Sequence, residues 1–334
     1  MKSSKLMTLV ALLFLGLGPI GAEEAETLPP LNVSSQEQHP LPKTCSPCSD
    51  WPVPARFTIQ GEAGRGVGFT RGFSLLEGFV PLWQPNADSL FFADLRAVNF
   101  DAAERWEFNA GGGARAYAPL LDRVLGVNAF YDGRHTERNY FNQLGVGLEA
   151  LGKILEFRAN GYFILGTQSQ IIGDTGPVNV GVAGGNIVFN RTQFLEVARG
   201  GVELEVGVPA PLLEKFYSRA YLGFYSYSAP GVTTANGIRG RLESQLSDRI
   251  ALHLSIQNDQ VFNTTVVGGL SFSFGAPAFR RGCCPPSWTD ILGQRVHRDV
   301  DVVISQESSS TTTLVPLPPP PPPPGPLNIE PDPR

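Results

Sequence analysis

Between Asn109 and Phe163 the chain repeats one pattern three times: a strand of alternating apolar and polar residues, then a tight turn or polar loop. In Asp122–Asp132, Leu125, Val127, Ala129 and Tyr131 share one face, and Gly126, Asn128, Phe130 and Asp132 share the other. In Gln143–Ala150 the apolar face is Leu144, Val146, Leu148 and Ala150, opposite Gln143, Gly145, Gly147 and Glu149. In Ile154–Phe163, Leu155, Phe157, Ala159 and Phe163 oppose Glu156, Arg158 and Asn160. Side chains alternate across a strand, so each segment has one greasy face and one carrying charges and glycines. Inside a soluble sheet each buried charge would cost several kcal/mol. The pattern fits lipid on the apolar face and a wet lumen on the polar one.

The same alternation predicts strands near Arg56–Arg65, Gly68–Leu82, Asp88–Phe100, Glu104–Ala118, Asp122–Arg134, Tyr140–Leu151 and Lys153–Thr167. It continues through Phe194–Val208, Lys215–Ser228, Thr234–Leu246, Arg249–Asn258 and Thr264–Phe274. The fold class expected is all-β: a transmembrane antiparallel β-barrel of about 12 strands, outer-membrane type, with disordered flanks. The links alternate. Gln84-Pro85-Asn86, Pro119–Leu121 and Ser247-Asp248 are turn-like, whereas Gln168–Gln193 reads as a long polar loop. The first outer link, at Gly66-Val67, looks as short as a turn. Short turns on the periplasmic side would put both termini there.

The polar faces carry charges of both signs. Those expected to face the lumen are Asp94, Arg96, Glu107, Arg115, Glu149, Glu156, Arg158, Arg199, Glu203, Arg219, Arg239 and Arg241. Mixed signs can pair across strands, and a barrel this wide holds water or a plug between them.

Composition refines the domain picture. Lys2 and Lys5 precede the apolar run Leu6–Leu17 and the small pair Gly21-Ala22, the form of a secretory signal peptide over residues 1–22. Residues 23–55 lack periodicity and read as an irregular periplasmic segment, ahead of a barrel at 56–275. Residues 276–305 read as a linker and 306–334 as a Ser/Thr/Pro-rich disordered tail, with an unbroken run at Pro318–Pro324. Cys45, Cys48, Cys283 and Cys284 flank the barrel and are candidates for disulfides in an oxidising compartment; zinc is the alternative, and sequence leaves the pairing open. A net charge of -5, with no basic stripe, gives no support for nucleic-acid binding.

No catalytic, cofactor-binding or metal pattern emerges. His135, His253 and His297 are assigned to an external loop, the lumen and the tail, and no Ser/His/Asp set is expected to converge at one strand end. Gly111-Gly112-Gly113 lies within a strand, so it is no phosphate loop; it reads as a place for bending and close packing.

Particular residues go further. Phe79-Val80-Pro81-Leu82, Phe108–Arg115, Leu125–Asp132 (LGVNAFYD), Gln143–Ala150 and Arg158–Phe163 together resemble the β-domain of inverse autotransporters, the intimin/invasin family of outer-membrane adhesins. Arg295–Ile304 (RVHRDVDVVI) continues the likeness more faintly. The resemblance implies an outer-membrane barrel with a linker through its pore and a passenger displayed outside. Here the departure is large, since only the proline-rich tail follows the linker. Expected partners are the outer-membrane lipid bilayer, the insertion machinery that reads the final strand Thr264–Phe274, and an unassigned surface ligand. The alternative function is a passive diffusion channel with a periplasmic tail.

Overall fold

A computed structural model describes residues 52–101, 105–210, 217–275 and 287–318. Among these, twelve strands close into one antiparallel barrel. In order around the wall they are β1 (Arg56–Gly64), β2 (Phe73–Asn86), β3 (Ser89–Phe100), β4 (Arg105–Ala118), β5 (Arg123–His135), β6 (Tyr140–Leu151) and β7 (Glu156–Leu165). The wall continues with β11 (Gly200–Pro209), β12 (Arg219–Ser228), β13 (Ala235–Gln245), β14 (Ile250–Asp259) and β15 (Asn263–Gly275). The seam pairs Arg56 with Gly275 and Gly64 with Val267, so no edge is left open to the hydrocarbon.

The expected alternation is present residue by residue. On β5, Leu125, Val127 and Tyr131 are exposed while Val124, Asn128, Phe130 and Asp132 are buried. On β6, Leu144, Val146 and Leu148 are exposed and Gln143 and Glu149 buried. Exposed large hydrophobics continue round the wall through Phe57, Leu95, Phe157, Leu204, Leu222, Ile238 and Leu254. This outer apolar surface, wrapped round an interior rich in buried charge, suits a wall that meets lipid.

One end of the barrel carries tight links: Ala87-Asp88, the 3-10 turn Pro119–Leu121, Gly152–Leu155 and Leu246–Arg249. We call it the turn end, and it also holds Arg56 and Gly275. At the other end, the loop end, the connection 166–199 leaves the barrel. The expected strand Phe194–Val208 proves to be two, broken at Arg199. Arg199 is buried, with Nε donating to Ser305 Oγ (2.9 Å) and Nη2 to Glu307 (2.7 Å), so it leaves the barrel ladder to fasten the chain beside it.

The predicted loop Gln168–Gln193 is itself sheet. It forms β8 (Ser169–Asp174), β9 (Val178–Ala183) and most of β10 (Asn186–Ala198). Their fourth partner comes from the predicted disordered tail: β16 (Ile304–Pro316) pairs antiparallel with β10 from Ala198↔Ile304 to Asn186↔Pro316. The predicted linker is also partly structured, containing the short helix α1 (Trp288–Leu292). The first outer link is longer than expected, running from Arg65 to Gly72. Gly68 in it has φ +86°, and a Cβ there would lie 2.7 Å from Asp301 Oδ2.

The expected signal peptide, the lead-in through Trp51, Cys45, Cys48, Cys283, Cys284 and the run Pro319–Pro324 lie outside the described residues.

Candidate functional site

The lumen is occupied by the chain's own residues 288–303. The segment starts at the turn end, where Ser287 and Asp290 form a capping box for α1. Trp288 stacks on Tyr117 with ring centroids 4.4 Å apart. Ile291 and Leu292 are fully buried against Leu90, Val124 and Leu151. These apolar contacts hold the helix in the mouth of the barrel.

Beyond α1 the chain is extended and has no ladder partner until β16, so its backbone groups must find side chains or water. The lumen charges supply many of them. Arg56 Nη1 donates to Gly293 O (2.9 Å), and Arg115 Nη1 to Leu292 O (2.8 Å) and Gln294 O (2.5 Å). Arg96 Nη2 donates to Val296 O (2.9 Å) and Asn160 to His297 O (3.2 Å). The Asp299 N–H donates to Tyr162 Oη (2.8 Å), and the Val302 N–H to Glu107 Oε2 (3.1 Å). Arg134 Nη1 and the Arg199 N–H then bond Val302 O (2.6 Å) and Val303 O (2.8 Å), which brings the segment to the loop end.

The segment's own charges meet opposite charges on the wall. Arg295 pairs with Glu77, and Arg298 Nη1 donates to Asp132 Oδ1 at 2.7 Å. Asp299 accepts from Arg239 at 2.7 Å and Asp301 from Arg134 at 3.0 Å. His297 Nε2 lies 3.0 Å from Glu243 Oε1. A buried charge without a partner costs several kcal/mol, so this pairing fixes the register of the threaded segment.

The structure buries Asp94, Arg96, Glu107, Arg115, Glu149, Glu156, Arg158 and Glu203 inside the wall, sets Arg219, Arg239 and Arg241 half-buried beside them, and places Arg199 at the loop end against β16. Arg96, Glu107, Arg115, Arg158, Arg199 and Arg239 touch the segment or its continuation β16 directly. Asp94 holds Arg96 (2.7 Å), Glu149 holds Arg115 (2.8 Å), and Glu156 bridges Arg158 (2.8 Å), Arg219 (3.2 Å) and Gln294 (3.4 Å). Glu203 braces Tyr162 and Arg239, and Arg241 binds Glu205 and Glu243. Sequence reasoning left out Arg56, Glu77, Asp132 and Arg134 on the wall and Arg295, Arg298, Asp299 and Asp301 on the segment. Asp132 already stood on the polar face of its strand, and the charges of both signs in RVHRDVDVVI were the signal for the segment's own four.

The histidines divide. His135 ends β5 and stacks on Trp106. His253 sits in the lumen with Nε2 2.8 Å from Ser271 Oγ and Nδ1 3.6 Å from Glu243. A Ser/His/Glu row therefore does converge, in mid-lumen rather than at a strand end. Among the described residues, no group of three or more His, Cys, Asp or Glu could hold a metal ion.

Comparison with known proteins agrees with this geometry. Residues 46–185 match the family model described as the inverse autotransporter, beta-domain. Over that stretch the chain is similar to an inverse autotransporter β-domain. Invasin of Yersinia enterocolitica is 36% identical over 103 residues, which are 30% of this chain and 12% of that protein. The chain therefore spans only a small part of that relative's length. A solved chain from a study of the in-meso crystallization of membrane proteins aligns over 75% of this chain and all of its own, with TM-score 0.54 and 15% identity; it shares the fold. With this likeness and this fold, the barrel lies in the bacterial outer membrane, with lipid against its apolar wall.

Proposed function

We propose that the barrel anchors this chain in the outer membrane and carries its own C-terminal segment to the cell surface. One observation carries the reading: residues 288–303 run from the turn end to the loop end through a lumen whose charges match theirs in register. By the barrel norm the turn end is periplasmic and the loop end external. The sheet of β8, β9, β10 and β16 then stands outside, and the tail beyond Pro316 follows it.

β15, with Val266, Leu270 and Phe274 outward, is the strand for the insertion machinery to read. A diffusion channel with a periplasmic tail fits less well, because the segment is bonded inside the lumen to β1, β3, β4, β5, β7 and β13. The Ser271–His253–Glu243 row is read as structural: Glu243 is also bonded by Arg241 and His297, so the carboxylate is not free to orient an attacking pair.

Protease shaving of intact cells with a tag after Arg334 tests the reading. A tag removed from outside supports export. A tag protected until the outer membrane is permeabilised would refute it.

A further inference from the structure

We propose that a narrow aqueous path for small ions runs beside the threaded segment, along the wall made by β1, β13, β14 and β15. The inference rests on the threaded-lumen reading. None of the bonds from the segment described above ends on β14 or β15, and two cavities lie along that side.

The larger cavity, about 140 Å³, reaches from mid-lumen to Val67 and Phe69 at the loop end. The smaller, about 70 Å³, reaches from mid-lumen to Tyr217 and Gln245 at the turn end. Their linings run end to end along these strands, mainly through lumen-facing residues, and the larger also takes in Leu204, Phe224 and Leu254 from the outward face. On β1, Arg56 and Thr58 line the smaller and Gln60 and Glu62 the larger. On β14, Ala251 lines the smaller, Ser255 and Gln257 the larger, and His253 both. On β13, Gln245 is followed by Glu243, which is shared, and then by Arg241 and Arg239. At 10–15 Å³ per water the two have room for on the order of ten and five waters, with Gln, Glu, Arg, His and Ser side chains set among apolar ones such as Val67, Phe69 and Val267.

Glu243, His253, Arg295 and His297 line both cavities, so the path narrows where they meet. There Ser271, His253, Glu243 and His297 form a row across the gap from β15 to the segment, with separations of 2.8, 3.6 and 3.0 Å. A ring of polar side chains at a constriction can replace part of an ion's hydration shell, which admits water and monovalent ions and rejects sugar-sized solutes.

The full chain in planar bilayers of potassium chloride tests this. The expected result is small discrete steps, raised roughly two-fold or more by His253→Ala, which opens the constriction, and cut to baseline by Ser255→Trp, which fills the larger cavity. If wild type and His253→Ala both stay silent although flotation with vesicles shows insertion, the path is refuted and the threaded anchor stands. If steps match an unobstructed barrel and ignore His253→Ala, the lumen is not occupied and both readings fall.

Discussion

Arg298 and Asp132 form a two-pronged ion pair in the lumen, with Nη1 donating to Oδ1 at 2.7 Å and Nη2 bonding Oδ2. Asp132 closes the LGVNAFYD stretch of β5, and Arg298 belongs to the threaded segment, so this contact joins wall to thread. Asp132 also accepts from Asn109 (2.8 Å) and Gln143 (3.1 Å). Removing the carboxylate strands three donors, one of them charged, whereas removing Arg298 leaves Asp132 two amides. Asp132→Ala is expected to cost on the order of 3 kcal/mol and Arg298→Ala less. The double variant should cost well under the sum. Urea unfolding of the full chain in vesicles measures this, and additive costs would mean the pair is not coupled.

Gly111 supports the same contact from below. A Cβ there would lie 2.4 Å from the Phe130 ring, and that ring faces the guanidinium of Arg298 at 4.6 Å and of Arg96 at 5.3 Å. The glycine lets the ring lie against the wall. Gly111→Val is expected to push Phe130 off and to loosen Arg298, which protease nicking of residues 294–303 in detergent would detect. Unchanged nicking would separate Gly111 from the thread.

The outer wall makes a depth-dependent prediction. Val146 lies midway along β6 and is 40% exposed; Leu120 lies in the turn end and is fully exposed. Val146→Arg is expected to destabilise the barrel by about 2–4 kcal/mol and Leu120→Arg by about 0–1, as cost falls from bilayer midplane to interface. Equal effects at the two sites would argue that no hydrocarbon surrounds β6.

Outside the wall, Asp174 is held below the usual carboxylate range, first by Arg191, whose Nε donates to Oδ2 at 2.8 Å, and next by the Gly176 N–H. A carboxylate lowered in the fold contributes above its unfolded pKa, about 4, and loses that contribution as pH falls through the lower folded value. The β8–β10 pairing at Asp174 is thus expected to be insensitive to pH from 7 to 5. A carbon-detected NMR titration of Asp174 with a midpoint at or above 4 would remove the basis for that expectation.

The barrel was legible because each strand meets two different surroundings. Leu148 and Glu149 are adjacent in sequence yet one meets lipid and the other Arg115, so period-two alternation is strong there. Ser308–Thr313 has no such contrast. Both its faces are polar, so nothing in the local pattern marks it as a strand or fixes its register. Its structure comes from β10, more than a hundred residues earlier in the chain. Arg199 misled for the opposite reason: it continued the alternation of its neighbours, but its side chain serves β16, so the strand divides at that residue. The threaded segment was marked by its cluster of charges of both signs, and their partners could be found only when the wall had closed.

The β10–β16 pairing is the part furthest from what the sequence announces, and a cross-link decides it. Thr192 and Ser310 are direct partners, with hydroxyl oxygens 2.9 Å apart. Cα atoms of opposed antiparallel residues lie about 4.5–5.5 Å apart, within the span of a disulfide. The full chain with Thr192→Cys and Ser310→Cys is therefore expected to oxidise to an intramolecular bond in high yield at the cell surface, detected as a mobility shift reversed by reductant. Shifting one partner by a residue, to Thr192→Cys with Thr311→Cys, turns the second thiol to the opposite face and should cut the yield sharply. Equal yields from the two pairs would mean that Ser308–Thr313 passes β10 without register, and β16 would have to be withdrawn as a strand.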